Sequence, residues 1–289
     1  MIIVRLKGGL GNQMFQYALG RVLALKNNTE LKLDLSFLNM SFKGVTKRDY
    51  DLDVFDIKAS IASDKDIFFV NKIYKNKVFI FVTEFIKKKL RTKGQEKDFS
   101  FDKEILNLKG NIFLNGYWQS SKYFKDYEDI LKKDFTLLNI DKNVSELSSN
   151  ILLENALCVH IRRGDYVGNP YHDVLSNDYY DSAVKKIEEK GIFIQKIYVF
   201  SDDIEWCKNN FKYKYDIEFV SHDYNGKNGE GHMYLMSCCK YFIIPNSTFS
   251  WWGAWLSERD GKVVICPQKW FADESINTSD LIPEDWIKI

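Results

Sequence analysis

The sequence lacks a long apolar run, a secretion signal and a strong net charge. No apolar run reaches the roughly 18 residues that a membrane-spanning helix needs. The opening residues, MIIVRLKGGLGN, enter a strand pattern directly, without a basic region and an apolar signal core. Because 41 Lys and Arg balance 40 Asp and Glu, the whole molecule attracts neither nucleic acid nor acidic substrates strongly. We therefore expect a cytoplasmic protein that binds no nucleic acid and holds anions by local groups.

Patterns typical of disulfides and metal sites are also lacking. The five cysteines are odd in number and lack metal-ligand spacing, so we expect reduced core residues. The four histidines are too scattered to form a ligand pair at helical spacing. Asp51 and Asp53 form an Asp-x-Asp pair, which can hold a metal on a diphosphate, but no strand pattern precedes them. The sequence predicts no metal site.

One segment leaves a membrane contact open. The apolar residues 78–86 are followed by Lys87, Lys88, Lys89, Arg91 and Lys93. A basic amphipathic segment can rest on an anionic membrane face, although a solvated helix end has the same composition. Peripheral contact with a membrane is therefore one of two interpretations.

Short apolar strands alternate with helical patterns along the chain. Residues 2–6 are a β-branched run that leads into a glycine-rich turn and then a helix. In the second half, the alternation predicts an α/β fold with a parallel, doubly wound sheet. The most polar stretch, DKNVSELSSN at 141–150, is predicted to be a linker. It divides the chain into domains 1–148 and 149–289.

The stretch from Leu157 to Val167, LCVHIRRGDYV, is an apolar run that ends in charged residues. These are His160, Arg162, Arg163 and Asp165. Open α/β sheets bind ligands beyond the carboxyl ends of their strands, and paired guanidinium groups suit phosphate oxygens. The pattern predicts a site for a phosphorylated ligand, although an Arg–Asp pair that pins a loop would look the same.

Two further strand ends carry polar groups. Asn246, Ser247 and Thr248 lie between a strand pattern and a helix start, where hydroxyls and free backbone N–H groups can bind phosphate. Asp202 and Asp203 follow another strand, where a carboxylate can accept hydrogen bonds from a base or ribose. Ordinary helix capping is the alternative in both places.

Several motifs together resemble a known family. They are GGLGNQMFQYA at 8–18, GYWQS at 116–120, HIRRGDY at 160–166, FSDD at 200–203 and NSTFSWWGAWL at 246–256. In this order they resemble the bacterial α-1,2-fucosyltransferases of glycosyltransferase family 11.

The resemblance implies a GT-B fold, in which two Rossmann-like domains with parallel sheets face each other across a cleft. It implies metal-independent transfer of L-fucose from GDP-β-L-fucose to the 2-hydroxyl of a β-galactoside, with inversion. The partners would be GDP-fucose and a galactose-containing glycan acceptor, with no cofactor. The enzyme would act in lipopolysaccharide or other surface glycan synthesis, in the cytoplasm or peripherally on the inner face of the bacterial membrane.

The resemblance also assigns roles. Arg162 would hold the β-phosphate and stabilise the charge on departing GDP. The other donor contacts it implies are His160, Asp202 and Asp203 near guanine or ribose; Asn246, Ser247, Thr248 and Phe249 near the diphosphate; and Gly9, Gly11, Asn12 and Gln13 from the first domain. Relatives usually carry an acidic residue that reads guanine near the helix before the NST motif, and here Glu230, shifted by two residues, is the candidate.

The base that deprotonates the acceptor hydroxyl is expected to be Asp165, with His172 and Asp173 as alternatives. Asp165 has a second interpretation, as a salt-bridge partner that orients Arg162. Two other classes remain in view: another nucleotide-dependent enzyme, either a different nucleotide-sugar transferase or a Rossmann-like oxidoreductase, and a non-catalytic sugar-binding module suggested by the seven tryptophans.

Overall fold

The structure, a computed structural model, describes residues 1–38, 40, 48–67, 94–96, 98–168, 175–273 and 275–289. The basic segment at 78–93 and the alternative bases His172 and Asp173 lie outside the described residues. Asp165 is described by its backbone only, within the short 3-10 turn Gly164–Tyr166.

The strands of the described residues are Ile2–Arg5 (β1), Leu31–Asp34 (β2), Ser60–Ile61 (β3), Ile112–Leu114 (β4), Ala156–Ile161 (β5), Lys196–Ser201 (β6), Asp216–Phe219 (β7), Tyr241–Ile243 (β8), Val263–Cys266 (β9) and Ile287–Lys288 (β10). The α-helices are Leu10–Lys26 (α1), Glu128–Asp134 (α2), Lys142–Leu153 (α3), Asn177–Glu189 (α4), Ile204–Asn210 (α5), Glu230–Cys238 (α6) and Thr248–Leu256 (α7).

The chain forms two compact units. The first comprises residues 1–136 and 279–282, and the second comprises 137–278 and 283–289. The chain therefore passes between the units earlier than the predicted boundary at 148/149. The predicted linker at 141–150 is part of helix α3 instead, because its few apolar residues recur at helical spacing and are buried: Val144, Leu147 and Ile151.

The sheet of the first unit places β1 in its interior. The strand order is β3-β2-β1-β4, and every pair is parallel. The chain builds outward from β1 through β2 to β3 and later returns to the other side of β1 with β4. The order in which strands are added therefore reverses between β1 and β4. Open α/β sheets bind ligands at such a switch point.

The second unit has the same plan on a larger scale. Its strand order is β10-β9-β8-β5-β6-β7, again all parallel. All six residues of β5 are buried, as expected for a strand covered on both faces. The order in which strands are added reverses between β5 and β8. The predicted α/β class with parallel sheets is confirmed.

Large aromatic side chains fill much of the second core. Trp251, Trp252 and Trp255 of α7 are buried and pack on one another, and Trp286 packs on Trp251. These tryptophans are core residues, and the interpretation of the five cysteines as core residues is confirmed, because they are free and buried. Over the described ranges, no helix is long and apolar enough to cross a bilayer.

Candidate active site

The three polar strand ends of the second unit are neighbours. Strand β5 pairs with β6 on one side and β8 on the other, so His160 is opposite Phe200 and Val159 is opposite Ile243. Because parallel strands end at the same edge of a sheet, the loops after β5, β6 and β8 meet there. The site is built from these loops.

The first of these loops is tied to the second by an ion pair. Arg162 Nη1 lies 3.0 Å from Asp202 Oδ2, with side chains 27% and 23% exposed. Asp202 Oδ1 also accepts a hydrogen bond of 2.9 Å from the backbone N–H of Arg163. A Cβ at Gly164 would lie 2.6 Å from Asp202 Oδ2, so a side chain at this position would crowd the carboxylate.

Arg163 and Asp203 form a second pair with a different character. Arg163 Nε lies 3.2 Å from Asp203 Oδ2, and its guanidinium lies 3.9 Å from the centre of the Trp206 ring. Asp203 also caps α5 by accepting the Trp206 N–H at 3.2 Å. This pair therefore holds the loop and the helix start, as the helix-cap interpretation of Asp203 suggested.

Two buried polar atoms at the β5 and β8 ends have no hydrogen-bond partner within the described part of the chain. They are Nδ1 of His160 and Oδ1 of Asn246. The His160 ring lies 5.8 Å from that of Phe249, and Asn246 is anchored through its Nδ2, which donates to the Trp270 carbonyl at 3.0 Å. Buried polar atoms are seldom left unpaired, so these two have unused hydrogen-bonding capacity at the strand ends.

His160 is neutral in the folded protein. Burial, followed by the charges of Arg162 and His232, lowers the pKa of His160 to about 3. A neutral ring can offer its Nδ1 either as a donor or as an acceptor, according to its tautomer.

The turn after β8 leads into the amino end of α7. Ser247 precedes Thr248 at the helix start and makes no side-chain capping hydrogen bond. Backbone N–H groups of the first helical turn therefore remain for an anion. Thr248 and Phe249 are half-buried at this end.

Tyr166 is a site residue that the sequence reasoning missed. Its hydroxyl donates to the Asn246 carbonyl at 3.0 Å, and the Arg162 guanidinium lies 5.6 Å from the centre of its ring. It joins the β5 loop to the β8 turn. The signal for it lies in the HIRRGDY run, which Tyr166 closes.

Glu230 has partners in its own loop. Its carboxylate accepts hydrogen bonds from the backbone N–H groups of Lys227 at 3.0 Å and Asn228 at 2.7 Å. Gly229, with φ of 92°, precedes it at the start of α6. Glu230 therefore stabilises the turn before α6, and reading guanine would be an additional role for it.

In the first unit, Gln13 supports the glycine turn. It is fully buried, its Nε2 donates to the carbonyls of Gly8 at 3.0 Å and Asp49 at 2.8 Å, and its Oε1 accepts the Asp51 N–H at 3.0 Å. A contact of Gln13 with the donor stays a prediction. Its neighbour Asn12 accepts a hydrogen bond of 2.7 Å from Gln119.

Gly9 and Gly11 flank the first residue of α1, and Gly9 is its N-cap. Gly8, just before them, has φ of 78°, a left-handed conformation that favours glycine. Strand β1, the glycine turn and helix α1 follow one another as the sequence predicted.

The lowered pKa of His160 predicts a specific pH dependence of stability. An unfolded histidine takes up a proton near pH 6.5, whereas folded His160 does not until about pH 3, so the free energy of unfolding falls as the pH drops below 6.5. Between pH 6.5 and 5 the loss is about 2 kcal/mol for one such histidine. In denaturant titrations, the free energy of unfolding of His160→Gln should fall less between pH 6.5 and 5, by about that amount. An unchanged slope of this free energy against pH would contradict a neutral His160.

Comparison with known proteins identifies the family. The model of "Glycosyl transferase family 11" matches residues 1–289. An alpha-1,2-colitosyltransferase of Escherichia coli is 38% identical, covering 100% of this chain and 99% of the relative. The O-antigen biosynthesis glycosyltransferase WbnK of Escherichia coli is 35% identical over 98% of this chain and 99% of its own length.

A third relative is more distant. A galactoside 2-alpha-L-fucosyltransferase of Caenorhabditis elegans is 29% identical over 51% of this chain and 43% of its own length. Since the family model spans the whole sequence, and two relatives align with it along nearly their full length, this chain belongs to glycosyl transferase family 11.

Proposed function

We propose that this enzyme transfers L-fucose from GDP-β-L-fucose to the 2-hydroxyl of a β-galactoside, with inversion, in the synthesis of a surface glycan. The observation that carries the proposal is the position of Arg162, beside unpaired buried polar atoms at the ends of β5 and β8. The galactoside fucosyltransferase and the O-antigen enzyme among the relatives support the choice of sugar and product.

Membership of a glycosyltransferase family removes two earlier alternatives, the oxidoreductase and the non-catalytic sugar-binding module. A different donor sugar remains a specific second candidate, because the 38% identical relative is a colitosyltransferase. Colitose is L-fucose without its 3-hydroxyl group, so the same diphosphate site would serve either donor.

In this proposal, donor binding is an exchange of partners for Arg162. Its guanidinium pairs with Asp202, and the diphosphate oxygens would take over part of that pairing. As the bond from the anomeric carbon to the phosphate oxygen breaks, GDP leaves with the electron pair and negative charge grows on the β-phosphate. A fixed guanidinium stabilises that charge most strongly in the transition state, and the N–H groups at the start of α7 add to it.

The nucleotide end of the donor would meet the unpaired atoms. We assign the His160 Nδ1 to the nucleotide and the Asn246 Oδ1, which can only accept, to an N–H or O–H donor of the base or ribose, with Ser247 and Thr248 at the phosphates. The positive charge in this arrangement comes from the protein itself, so transfer should not require a metal ion.

The acceptor reacts at the opposite face of the anomeric carbon. Its 2-hydroxyl oxygen forms the new bond, and the hydroxyl proton passes to a base, for which we propose Asp165. The alternative role for Asp165 is to orient Arg162, and Asp202 is one carboxylate that already pairs with Arg162.

The two arginines should respond differently to substitution. Arg162→Ala removes the group that meets the developing charge, so kcat should fall by about 10²-fold or more, equivalent to roughly 3 kcal/mol. Arg163→Ala removes the contacts with Asp203 and Trp206, so it should mainly lower the unfolding midpoint. Initial rates and thermal melts of both variants test this, and near wild-type turnover in Arg162→Ala would refute the mechanism.

The base assignment has its own test. Asp165→Asn should lose most of its turnover while binding GDP-fucose as tightly as the wild type, because only proton transfer is removed. Titration calorimetry gives the affinity and a product assay gives the rate. A loss of donor affinity would instead assign Asp165 to the donor site.

The donor and linkage are tested together by a substrate panel. The enzyme should transfer from GDP-fucose to methyl β-D-galactopyranoside in the presence of EDTA, and NMR of the product should show an α-1,2 linkage. GDP-colitose and GDP-mannose are the comparison donors. Transfer from GDP-colitose alone would select the second candidate, and a linkage to another hydroxyl would contradict the stated regiochemistry.

A further inference from the structure

Tyr166 links the loop of the two arginines to the turn after β8. It ends the 3-10 turn Gly164–Tyr166, in which the Tyr166 N–H donates to the Arg163 carbonyl at 2.9 Å. Its hydroxyl donates to the Asn246 carbonyl at 3.0 Å, across 80 residues of sequence. One side chain therefore joins the ends of β5 and β8, two strands that pair directly.

The carbonyl that accepts this hydrogen bond belongs to a peptide unit that is fixed at both ends. On its other side, the Ser247 N–H donates to the Pro245 carbonyl at 2.8 Å. Asn246 itself is 3% exposed, and its side chain is anchored because Nδ2 donates to the Trp270 carbonyl at 3.0 Å. Helix α7 begins directly after Ser247. The tyrosine hydroxyl is therefore attached to a rigid point just before α7.

The Arg162 guanidinium has a carboxylate and this anchored ring as neighbours. Its Nη1 lies 3.0 Å from Asp202 Oδ2, and its Cζ lies 5.6 Å from the centre of the Tyr166 ring. That distance is within the range of an attractive cation–π contact. An arginine side chain loses much rotamer freedom when it is held in one position. A ring that already restricts the guanidinium therefore lowers the cost of placing it against a substrate.

We infer that Tyr166 is a positioning residue. Its ring holds the Arg162 guanidinium in the arrangement that meets the charge on the departing phosphate, and its hydroxyl holds the ring at the β8 turn. The chemistry of that phosphate rests on the proposed function. The coupling between the two side chains does not, because it follows from their contacts.

This role predicts an effect on kcat and not on KM. The charge that Arg162 stabilises develops as the leaving group departs, so imprecise placement weakens the transition state more than the bound donor. Tyr166→Phe keeps the ring and loses the hydroxyl, so its kcat should fall about fivefold. Tyr166→Leu also loses the ring, so its kcat should fall about thirtyfold. The KM for GDP-fucose should stay within about twofold in both variants.

A double-mutant cycle separates positioning from a general structural role. If Tyr166 acts through Arg162, adding Tyr166→Leu to Arg162→Ala should change kcat by less than about twofold, because the positioned group is already absent. Initial rates at saturating donor give kcat, and thermal melts give the unfolding midpoint of each variant. The matched control is Tyr198→Phe, which removes a hydroxyl that donates to Glu154 Oε2 at 2.8 Å, before the start of β5. The control should keep the wild-type kcat.

The possible results distinguish this inference from the proposed function. Additive losses in the cycle, a wild-type kcat in Tyr166→Leu, or a raised KM with an unchanged kcat would overturn the positioning role. Any of these with transfer from GDP-fucose intact would leave the proposed function standing. A coupled cycle measured with GDP-colitose, in an enzyme that does not use GDP-fucose, would support the positioning role while the fucose donor fails. Transfer from neither donor would overturn both.

Discussion

The position of β5 between β6 and β8 is the constraint on which the candidate active site depends. Every residue of β5 is buried and the strand is paired on both sides, so its register cannot slip without turning core side chains toward the wrong face. The loop that follows is then fixed at two points, by the Arg163 N–H on Asp202 and by the Tyr166 hydroxyl on the Asn246 carbonyl. Strand pairing and these two hydrogen bonds therefore fix the backbone from which both arginine side chains extend.

Two adjacent arginines receive different surroundings from this loop. Arg163 lies over Trp206 and pairs with a helix cap, so its planar group is enclosed by structural contacts. Arg162 pairs with Asp202, and the two side chains are 27% and 23% exposed. In the proposed function, an incoming diphosphate takes over part of this pairing.

Much of this could be predicted from the sequence, because a parallel sheet has a strong local signature. Apolar runs that end in charged or hydroxyl residues located three strand ends, and the structure makes them neighbours. The partners of those residues could not be predicted in the same way. The pairing of Arg162 with Asp202, across 40 residues, depends on strand order, which periodicity does not reveal.

For one segment, the spacing of the apolar residues predicts the structure better than the overall composition does. The segment at 141–150 is polar overall, yet Val144, Leu147 and Ile151 form the buried stripe of α3. The family resemblance implies that Gln13 and Glu230 contact the donor. Both make hydrogen bonds that stabilise their own turns. A residue in a motif can thus shape a site without facing it.

The return of residues 279–282 to the first unit bears on how the chain folds during synthesis. Asp280 accepts the Phe101 N–H at 2.8 Å and pairs with Lys122 at 2.6 Å, and Leu281 is fully buried. These contacts form only after strands β5 to β9 have been made, although domains usually fold from the amino-terminal end as they emerge from the ribosome. The first unit therefore reaches its final packing late, and its maturation is coupled to completion of nearly the whole polypeptide.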